Sequence, residues 1–215
     1  MITGAQRTPD STGQDGEINL TDAITVAASR DSRGRGVLIV FAGEIHPARG
    51  TKKLHTINPS PFGGAGALGF VTDGQVSFHA YPQQQKPLPL PGEGFDETRV
   101  DVVVSHAGAD ASLARTAVSE GARGVIIVGT GAGNGNKALC EWVTGAVSEG
   151  ITVAVSTRVS AGPVLPLYGN GGASDLLEAG AVLLGDLPWS QARILLALLL
   201  SAGDAVTSVT LTGYI

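Results

Sequence analysis

Short apolar runs alternate with amphipathic stretches through the second half of the chain. Runs at residues 102–104 and 124–128 are rich in valine and isoleucine, which predicts buried strands, and residues 151–155 predict a third strand. Four stretches have the apolar spacing of amphipathic helices, and they lie at residues 111–120, 137–149, 173–179 and 189–201. Strands that alternate with helices predict parallel β-α-β units and an α/β layered fold. The tail at residues 205–215 alternates weakly and is predicted as a strand.

The first half of the chain has fewer long periodic stretches. Residues 1–5 have the pattern of a strand end, and Asn19 is predicted to cap a short amphipathic helix that follows it. The apolar run at residues 37–41 predicts a strand buried on both faces. Residues 68–71 and 75–78 flank an Asp-Gly pair, which is typical of the tight turn of a β-hairpin.

A proline-rich stretch separates the two halves. Pro82, Pro87, Pro89 and Pro91 lie together with three glutamines. Proline fixes its φ angle and has no N–H for a β-ladder, so this stretch is predicted to be a linker. The predicted domains are therefore residues 1–81 and 97–215, joined by residues 82–96.

Composition excludes several classes of protein. Net charge is −5 and no basic cluster is present, which argues against a nucleic-acid partner. Cys140 is the only cysteine, so neither an internal disulfide nor a cysteine-based metal site can form. The longest apolar run, at residues 194–200, is far too short to span a bilayer. Charged residues make up 15% and mean hydropathy is +0.20, which excludes a disordered chain.

Polar residues between positions 43 and 60 include Glu44, His46 and His55. These side chains could bind a metal or do acid–base chemistry. No helical i, i+4 spacing joins them, which favours ordinary hydrogen-bonding roles. Lys52 and Lys53 follow in the same segment. A lysine pair is usually solvated; the alternative is a lysine fixed by hydrogen bonds, which shifts the pKa of a neighbouring group.

Two candidate sites follow strands of the second half. His106 comes after the strand at residues 102–104, and ligands of α/β folds bind beyond the carboxyl ends of strands. The glycine-rich segment at residues 129–136 follows a strand and opens a helix. Its spacing is not that of a dinucleotide or P-loop site, so it is predicted to be a tight turn that places backbone near a pocket.

An ordered set of motifs covers residues 1 to about 202. In the first half these are Thr-Gly-Ala-Gln-Arg (3–7), Asp-Gly (15–16) with Asn-Leu (19–20), Arg-Gly-Val-Leu-Ile-Val (35–40), Ile-His-Pro-Ala-Arg (45–49), Lys-Leu-His-Thr (53–56) and Gly-Ala-Leu-Gly-Phe (66–70). In the second half they are Gly-Ala-Gly-Asn (131–134), Ser-Thr-Arg-Val (156–159) and Gln-Ala-Arg-Ile-Leu-Leu (191–196). In this order and spacing the motifs resemble the bacterial-type L-asparaginase and glutaminase-asparaginase family, in which Met or Gln stands at position 6.

The resemblance implies roles for single residues. Lys53 matches the family lysine that contacts the aspartate of a Thr-Asp pair, where it helps hydrolysis proceed through an acyl-enzyme. Gly108 aligns with an asparagine that some members contribute to a neighbouring subunit's pocket, and His106 lies beside it. The family's acidic residue of that pocket falls in residues 163–172, where this chain diverges. The family's Thr-Gly-Gly-Thr nucleophile motif has no counterpart, because Thr-Gly-Gly occurs nowhere in the chain.

The expected fold is α/β in two parts: a truncated N-terminal α/β domain and a smaller C-terminal parallel α/β domain. The resemblance implies hydrolysis of L-asparagine to L-aspartate and ammonia, without a cofactor, by a homotetramer. No metal site, nucleic-acid partner or membrane partner is expected, and the predicted compartment is the cytoplasm. Without the nucleophile segment, the isolated chain is expected to be inactive. Two alternatives stay open: a non-catalytic interaction chain, either a pseudoenzyme or half of a split asparaginase, and a plain truncation product.

Overall fold

The computed structural model describes all 215 residues, which fall into two compact units, Met1–Gln84 and Gln85–Ile215. No helix in either unit is long and apolar enough to cross a membrane. The chain is a mixed α/β protein, as expected, with an antiparallel sheet in the first unit and a parallel sheet in the second.

The first unit contains one α-helix, a short 3-10 helix at Arg30–Ser32 and two antiparallel sheets. Its elements are α1 (Gly16–Ala28), β1 (Leu38–Phe41), β2 (Glu44–Pro47), β3 (Lys52–Lys53), β4 (Phe62–Gly63), β5 (Gly69–Thr72) and β6 (Gln75–Phe78). The larger sheet has the order β1-β2-β5-β6, and β3 pairs with β4 in a separate small sheet. The predicted hairpin is confirmed: β5 and β6 pair across Asp73 and Gly74, which both have positive φ.

The beginning of the chain extends the larger sheet beyond β1. Ile2 donates its N–H to Leu38 and accepts a hydrogen bond from Val40, which places residues 1–5 parallel to β1. The strand-like reading of these residues was therefore right. The prediction that 37–41 is buried on both faces was wrong: Val37 is 57% exposed and Ile39 is half-buried. The neighbours of β1 are an antiparallel hairpin partner and a single bridge, so part of one face stays open.

Helix α1 begins earlier than the sequence suggested. Asp15 precedes its first residue, Gly16, and Asn19 lies inside the helix with 1% exposure. The capping role predicted for Asn19 is therefore wrong. Its carboxamide instead reaches out of the helix to the backbone of Gly4 and Ala42. Asparagine is a poor helix-interior residue unless its side chain has such partners.

The second unit is a parallel sheet with helices on both faces. Its strands are β7 (Val100–Val104), β8 (Gly124–Gly129), β9 (Thr152–Thr157) and β10 (Val182–Leu183), in the order β10-β9-β8-β7. Its helices are α2 (Ser112–Ser119), α3 (Lys137–Ser148), α4 (Ala173–Glu178), α5 (Trp189–Ser201) and α6 (Ser208–Leu211). Three predicted strands and four predicted helices are thus confirmed. The burial predicted for residues 102–104 was wrong: Val102 is half-buried and Val104 is 48% exposed, because β7 is an edge strand.

Alternate residues of each strand face opposite layers. Val125 and Ile127 pack into a cluster with α2, α3 and α4, whereas Ile126 and Val128 pack into a second cluster with α5. This explains why β8 is apolar at every position between its terminal glycines. The strand predicted at residues 205–215 is wrong: residues 208–211 form α6, which Thr207 caps through its hydroxyl.

Candidate functional site in the first unit

Lys53 lies at the end of the small β3–β4 sheet. Its backbone pairs with Phe62, whose ring packs edge-to-face on Phe41 at 5.2 Å between ring centres. The N–H of the next residue, Leu54, donates to the carbonyl of Pro61 at 2.7 Å. These contacts fix the backbone on both sides of Lys53, although its side chain is exposed. The sheet therefore presents a solvent-accessible ammonium from a defined position.

His55 shapes the loop that follows Lys53. Its Nδ1 accepts hydrogen bonds from the backbone N–H groups of Ile57 at 3.1 Å and Asn58 at 2.9 Å. Two backbone N–H groups converge on Nδ1, so this nitrogen serves as a hydrogen-bond acceptor. His55 thus acts as a turn-forming acceptor, which is the ordinary hydrogen-bonding role rather than metal binding.

The side chain of Gln6 joins Lys53 to this loop. Its Oε1 accepts a hydrogen bond from Lys53 Nζ at 2.7 Å, and its Nε2 donates to the carbonyl of Thr56 at 2.7 Å. Gln6 directly follows the strand-like residues 1–5, so residues 47 positions apart in sequence meet here. The site therefore combines a cation, a carboxamide and a backbone carbonyl.

Asp15 fixes the backbone of Gln6. The carboxylate accepts hydrogen bonds from the N–H groups of Gln6 at 3.0 Å and Arg7 at 2.9 Å. It also accepts one from Asn19 Nδ2 at 3.2 Å. Partial burial raises the pKa of Asp15, but these donors outweigh it and hold the pKa below the usual value of an aspartate. The carboxylate is therefore ionised over the whole physiological pH range.

Glu44 and His46 lie on one face of β2 and contact each other. His46 Nε2 is 3.0 Å from Glu44 Oε2, and the same oxygen accepts a hydrogen bond from the hydroxyl of Ser60 at 3.0 Å. His46 is buried, and its Nδ1 has no partner. In a strand, residues i and i+2 lie on the same face and can contact each other. The sequence-based prediction had considered only the i, i+4 spacing of a helix. No cluster of three His, Cys, Asp or Glu side chains that could hold a metal is present.

His106 and Gly108 lie in the second unit, in a turn beyond the carboxyl end of β7. His106 Nδ1 is 2.9 Å from the carbonyl of Ala107, and the N–H of Ala109 closes the turn on the carbonyl of His106. Gly108 has φ +78°, and a Cβ on it would meet no atom within 4 Å. Asparagine tolerates positive φ better than other non-glycine residues, so this turn suits either residue. Gly108 itself offers only backbone groups.

The glycine-rich segment after β8 forms a tight turn, as predicted. Thr130 donates its N–H to Asn134 and accepts one in return, and Gly133 has φ +104°. Thr157 donates its hydroxyl to the carbonyl of Gly131 at 2.6 Å. Asn136 then caps α3 by accepting from the N–H of Leu139. The turn thus brings the ends of β8 and β9 together at the carboxyl edge of the sheet.

Cys140 is poorly suited to act as a nucleophile. Burial raises the pKa of its thiol, and the charge of Asp175 raises it further. The side chain packs on the core beneath α3. A thiol with a raised pKa is a poor nucleophile, because the thiolate is the reactive form.

These observations define the class of the protein: it is a two-unit α/β protein that presents an anchored lysine on an antiparallel sheet. A model of the N-terminal asparaginase domain matches residues 1–84, and a model of the glutaminase/asparaginase C-terminal domain matches residues 99–210. The chain belongs to the asparaginase family. This confirms the resemblance drawn from its motifs.

Named relatives agree with this assignment. The chain is 31% identical to the L-asparaginase of Bacillus licheniformis and 35% identical to a probable L-asparaginase of Deinococcus radiodurans, over 94% of its own length in both cases. The crystal structure of a probable cytoplasmic L-asparaginase from Campylobacter jejuni superposes with a TM-score of 0.78 at 28% identity, covering 93% of this chain. The chain spans about two thirds of these relatives: 63% of each of the first two and 65% of the third.

The motifs pointed to Lys53, but not to Gln6, which contacts it, or to Asp15, which holds the backbone of Gln6. Gln6 was noted only as part of the motif at residues 3–7, and Asp15 only as part of the Asp-Gly motif at residues 15–16. One signal was available: a strand end followed by an aspartate that lies beside a helix start. Such an aspartate commonly accepts hydrogen bonds from backbone N–H groups.

Proposed function

We propose that this chain supplies the Lys53 side of an asparaginase-type active site, which hydrolyses L-asparagine to L-aspartate and ammonia. The observation that carries the proposal is the anchored ammonium of Lys53, 2.7 Å from Gln6, in a chain whose two halves both match asparaginase models. A fixed cation of this kind favours the ionised form of a nearby carboxylate. In the family, that carboxylate belongs to the Thr-Asp pair that takes up the nucleophile's proton.

We also infer that these 215 residues do not hydrolyse asparagine unaided. Thr-Gly-Gly is absent from them, and the only Thr-Asp pairs are Thr21-Asp22 and Thr72-Asp73. Thr21 donates its hydroxyl back to Glu17 within α1, and Thr72 belongs to the β5–β6 hairpin. Both pairs thus belong to other elements, helix α1 and the β5–β6 hairpin. The nucleophile is therefore proposed to come from further sequence or from a partner chain, as in a split enzyme.

The neighbouring-subunit part of the proposal concerns His106 and Gly108. Both are exposed beyond the carboxyl end of β7, where α/β folds bind ligands. We propose that this turn completes the pocket of a second subunit in a homotetramer, as the family resemblance implies. Light scattering coupled to size-exclusion chromatography measures the assembly. A strictly monomeric protein at micromolar concentration would contradict this part. We keep the cytoplasm as the predicted compartment.

The deciding experiment measures ammonia release from L-asparagine. The purified chain is assayed alone and after mixing with a segment that carries the family's Thr-Gly-Gly-Thr and Thr-Asp motifs. We expect release only from the mixture, abolished by Lys53→Met and retained by the matched variant Lys52→Met. Release by the chain alone would overturn the inferred dependence on a second segment. A mixture without activity would favour the non-catalytic alternative, an interaction chain that has kept the fold.

A further inference from the structure

We propose that Gln6 is a positioning residue that holds the ammonium of Lys53 in its working place. The proposal rests on the function proposed above, and it adds a residue and a mechanism to it. A lysine carries its charge on a flexible four-carbon stem, so an exposed ammonium samples many positions unless something holds it. Gln6 Oε1, at 2.7 Å, supplies that hold.

The carboxamide of Gln6 can satisfy its surroundings in one orientation only. In the observed orientation, Oε1 accepts from the ammonium of Lys53 and Nε2 donates to the carbonyl of Thr56 at 2.7 Å. Rotating the amide by half a turn would place its NH₂ group against the ammonium and its oxygen against the carbonyl. Both contacts would then lack a donor–acceptor pair. The carbonyl of Thr56 therefore selects the orientation that aims the oxygen at Lys53.

Hydrogen bonds fix the backbone of Gln6 as well as its side chain. Asp15 accepts hydrogen bonds from its N–H and from that of Arg7, and Asn19 donates to the same carboxylate. Asn19 is almost fully buried and bonds the backbone of Gly4. A continuous series of hydrogen bonds thus runs from the buried side of α1 to an exposed ammonium, so that the helix defines where the charge lies.

A neutral acceptor suits this role better than a carboxylate would. A carboxylate at position 6 would pair with Lys53 and neutralise much of its field. The carboxamide orients the ammonium but leaves its net charge available for another carboxylate. Methionine, which some family members have at this position, fills similar space without any strong acceptor. Gln6→Met is therefore a volume-matched variant that removes both hydrogen bonds of the carboxamide, to Lys53 and to Thr56.

The test measures the reactivity of single lysines rather than catalysis. The folded chain is labelled with trace acetic anhydride, and peptide mass spectrometry gives the acetylation rate of Lys53 relative to that of the exposed Lys137. Loss of the hydrogen bond to Gln6 lets the side-chain nitrogen of Lys53 move and meet the reagent. Gln6→Met should therefore raise the relative acetylation rate of Lys53 about threefold. Gln6→Glu should rescue the hold and keep the rate at or below that of the unaltered protein. Gln75→Met, at an exposed position of β6, is the matched control and should change nothing.

The result decides the proposal independently of asparagine hydrolysis. If Lys53 labels at an unchanged rate in Gln6→Met while circular dichroism shows the fold intact, Gln6 does not hold the ammonium and the proposal fails. If the rate rises equally in Gln6→Met and Gln6→Glu, the effect is loosened packing and the proposal also fails. A rise in the first and none in the second supports it, even where the nucleophile segment gives no activity.

Discussion

The carboxamide oxygen of Asn19, inside helix α1, accepts a hydrogen bond from the backbone N–H of Ala42 at 2.9 Å. Ala42 has φ +52° and forms the two-residue turn between β1 and β2 with Gly43. Non-glycine residues seldom adopt such a φ angle, so the turn needs support from outside itself. One buried side chain thus joins the helix to the hairpin, and through Asp15 to the candidate site.

The first expected result follows from this contact. Asn19→Ala removes the partner of the Ala42 N–H and of the Gly4 carbonyl, and it empties space that the buried carboxamide fills. We expect a loss of about 2–4 kcal/mol in the free energy of unfolding of the first unit. Hydrogen exchange of the β1 and β2 amides measures it. Asn58→Ala, at an exposed loop position, is the control, and equal losses in the two variants would contradict the assigned role.

A second expectation concerns Arg35, whose guanidinium is buried between two rings. Its Cζ lies 3.8 Å from the ring centre of Phe78 and 3.7 Å from that of Tyr81. Its Nε and Nη1 also donate to the carbonyls of Asp31 and Ala80, both at 2.6 Å. Arg35 therefore holds the segment after β6 against the turn after α1.

Substitution of Arg35 should be costly. Arg35→Ala removes both stacking contacts and leaves two carbonyls without their donor, for which we expect about 2–3 kcal/mol of destabilisation. Arg35→Lys should recover only part of it, since one ammonium cannot reproduce a planar guanidinium between two rings. Thermal unfolding measured by calorimetry gives the order of stability of the unaltered chain and the two variants. A lysine variant as stable as the unaltered chain would show that charge alone matters here.

Asp15 makes the stability of the first unit depend on pH. Its pKa is lowered in the folded chain, so its contribution is fully present above the unfolded value of about 3.9 and is lost as pH falls through the folded pKa. We expect Asp15→Asn to lower the melting temperature at pH 7. The difference from the unaltered chain should shrink progressively below about pH 4.

Asp22, in the same helix, supplies a control of opposite sign. Burial raises its pKa, so the charged form opposes folding above the unfolded pKa. Asp22→Asn should leave the melting temperature at pH 7 unchanged or raise it. Thermal scans from pH 3 to pH 7 follow both variants. If Asp15→Asn destabilises equally at every pH, its effect is not that of the carboxylate charge.

Substitutions at two glycines distinguish the effect of steric crowding from that of chain flexibility. A Cβ on Gly129 would lie 2.5 Å from the backbone carbon of Gly133, whereas one on Gly145 in α3 would meet nothing within 4 Å. Gly129→Ala should destabilise the second unit by about 1–3 kcal/mol, because backbone atoms of the turn cannot move aside. Gly145→Ala should stabilise it by about 0.5–1 kcal/mol, since alanine favours a helix. Urea unfolding followed through Trp142 and Trp189 reports both values.

The sequence predicted the second unit far better than the first. Long apolar runs such as β8 are fully buried, and a buried strand or helix has a strong pattern. The strand β2 was missed because it has only four residues and ends on Pro47, so the run is too short for its alternation to stand out. The tail was misjudged because α6 is a single turn, too short for a helical period to show.

The candidate site could be predicted only in part for a related reason. Lys53 was found through its motif, but its contact with Gln6 joins residues 47 positions apart. Local pattern carries no information on which distant side chains meet. The role of Asn19 was misread because its residue type suits a helix cap as well as a buried bridge. His106 and Gly108 stay predictions.

The two units should differ in stability, because their cores differ. The parallel sheet of the second unit is covered on both faces by clusters of sixteen and fifteen buried residues, whereas the first unit has one cluster of seven. In α1, Ile18, Leu20 and Ile24 are each more than half exposed. Buried apolar area is the main favourable term in folding, so the first unit should open more often.

Limited proteolysis of the isolated chain tests this difference. We expect the first cuts before about residue 97, in the first unit or in the stretch at 82–96, which has no helix or strand, and a resistant fragment that ends near Ile215. Hydrogen exchange should agree, with the slowest amides in β8, at the centre of the parallel sheet. A segment that pairs with residues 1–5 or covers α1 should protect the first unit, since it would bury the same exposed side chains. Equal resistance of both units in a monomeric sample would contradict the argument, because it would mean that a single cluster of seven residues stabilises its fold as well as two larger ones do.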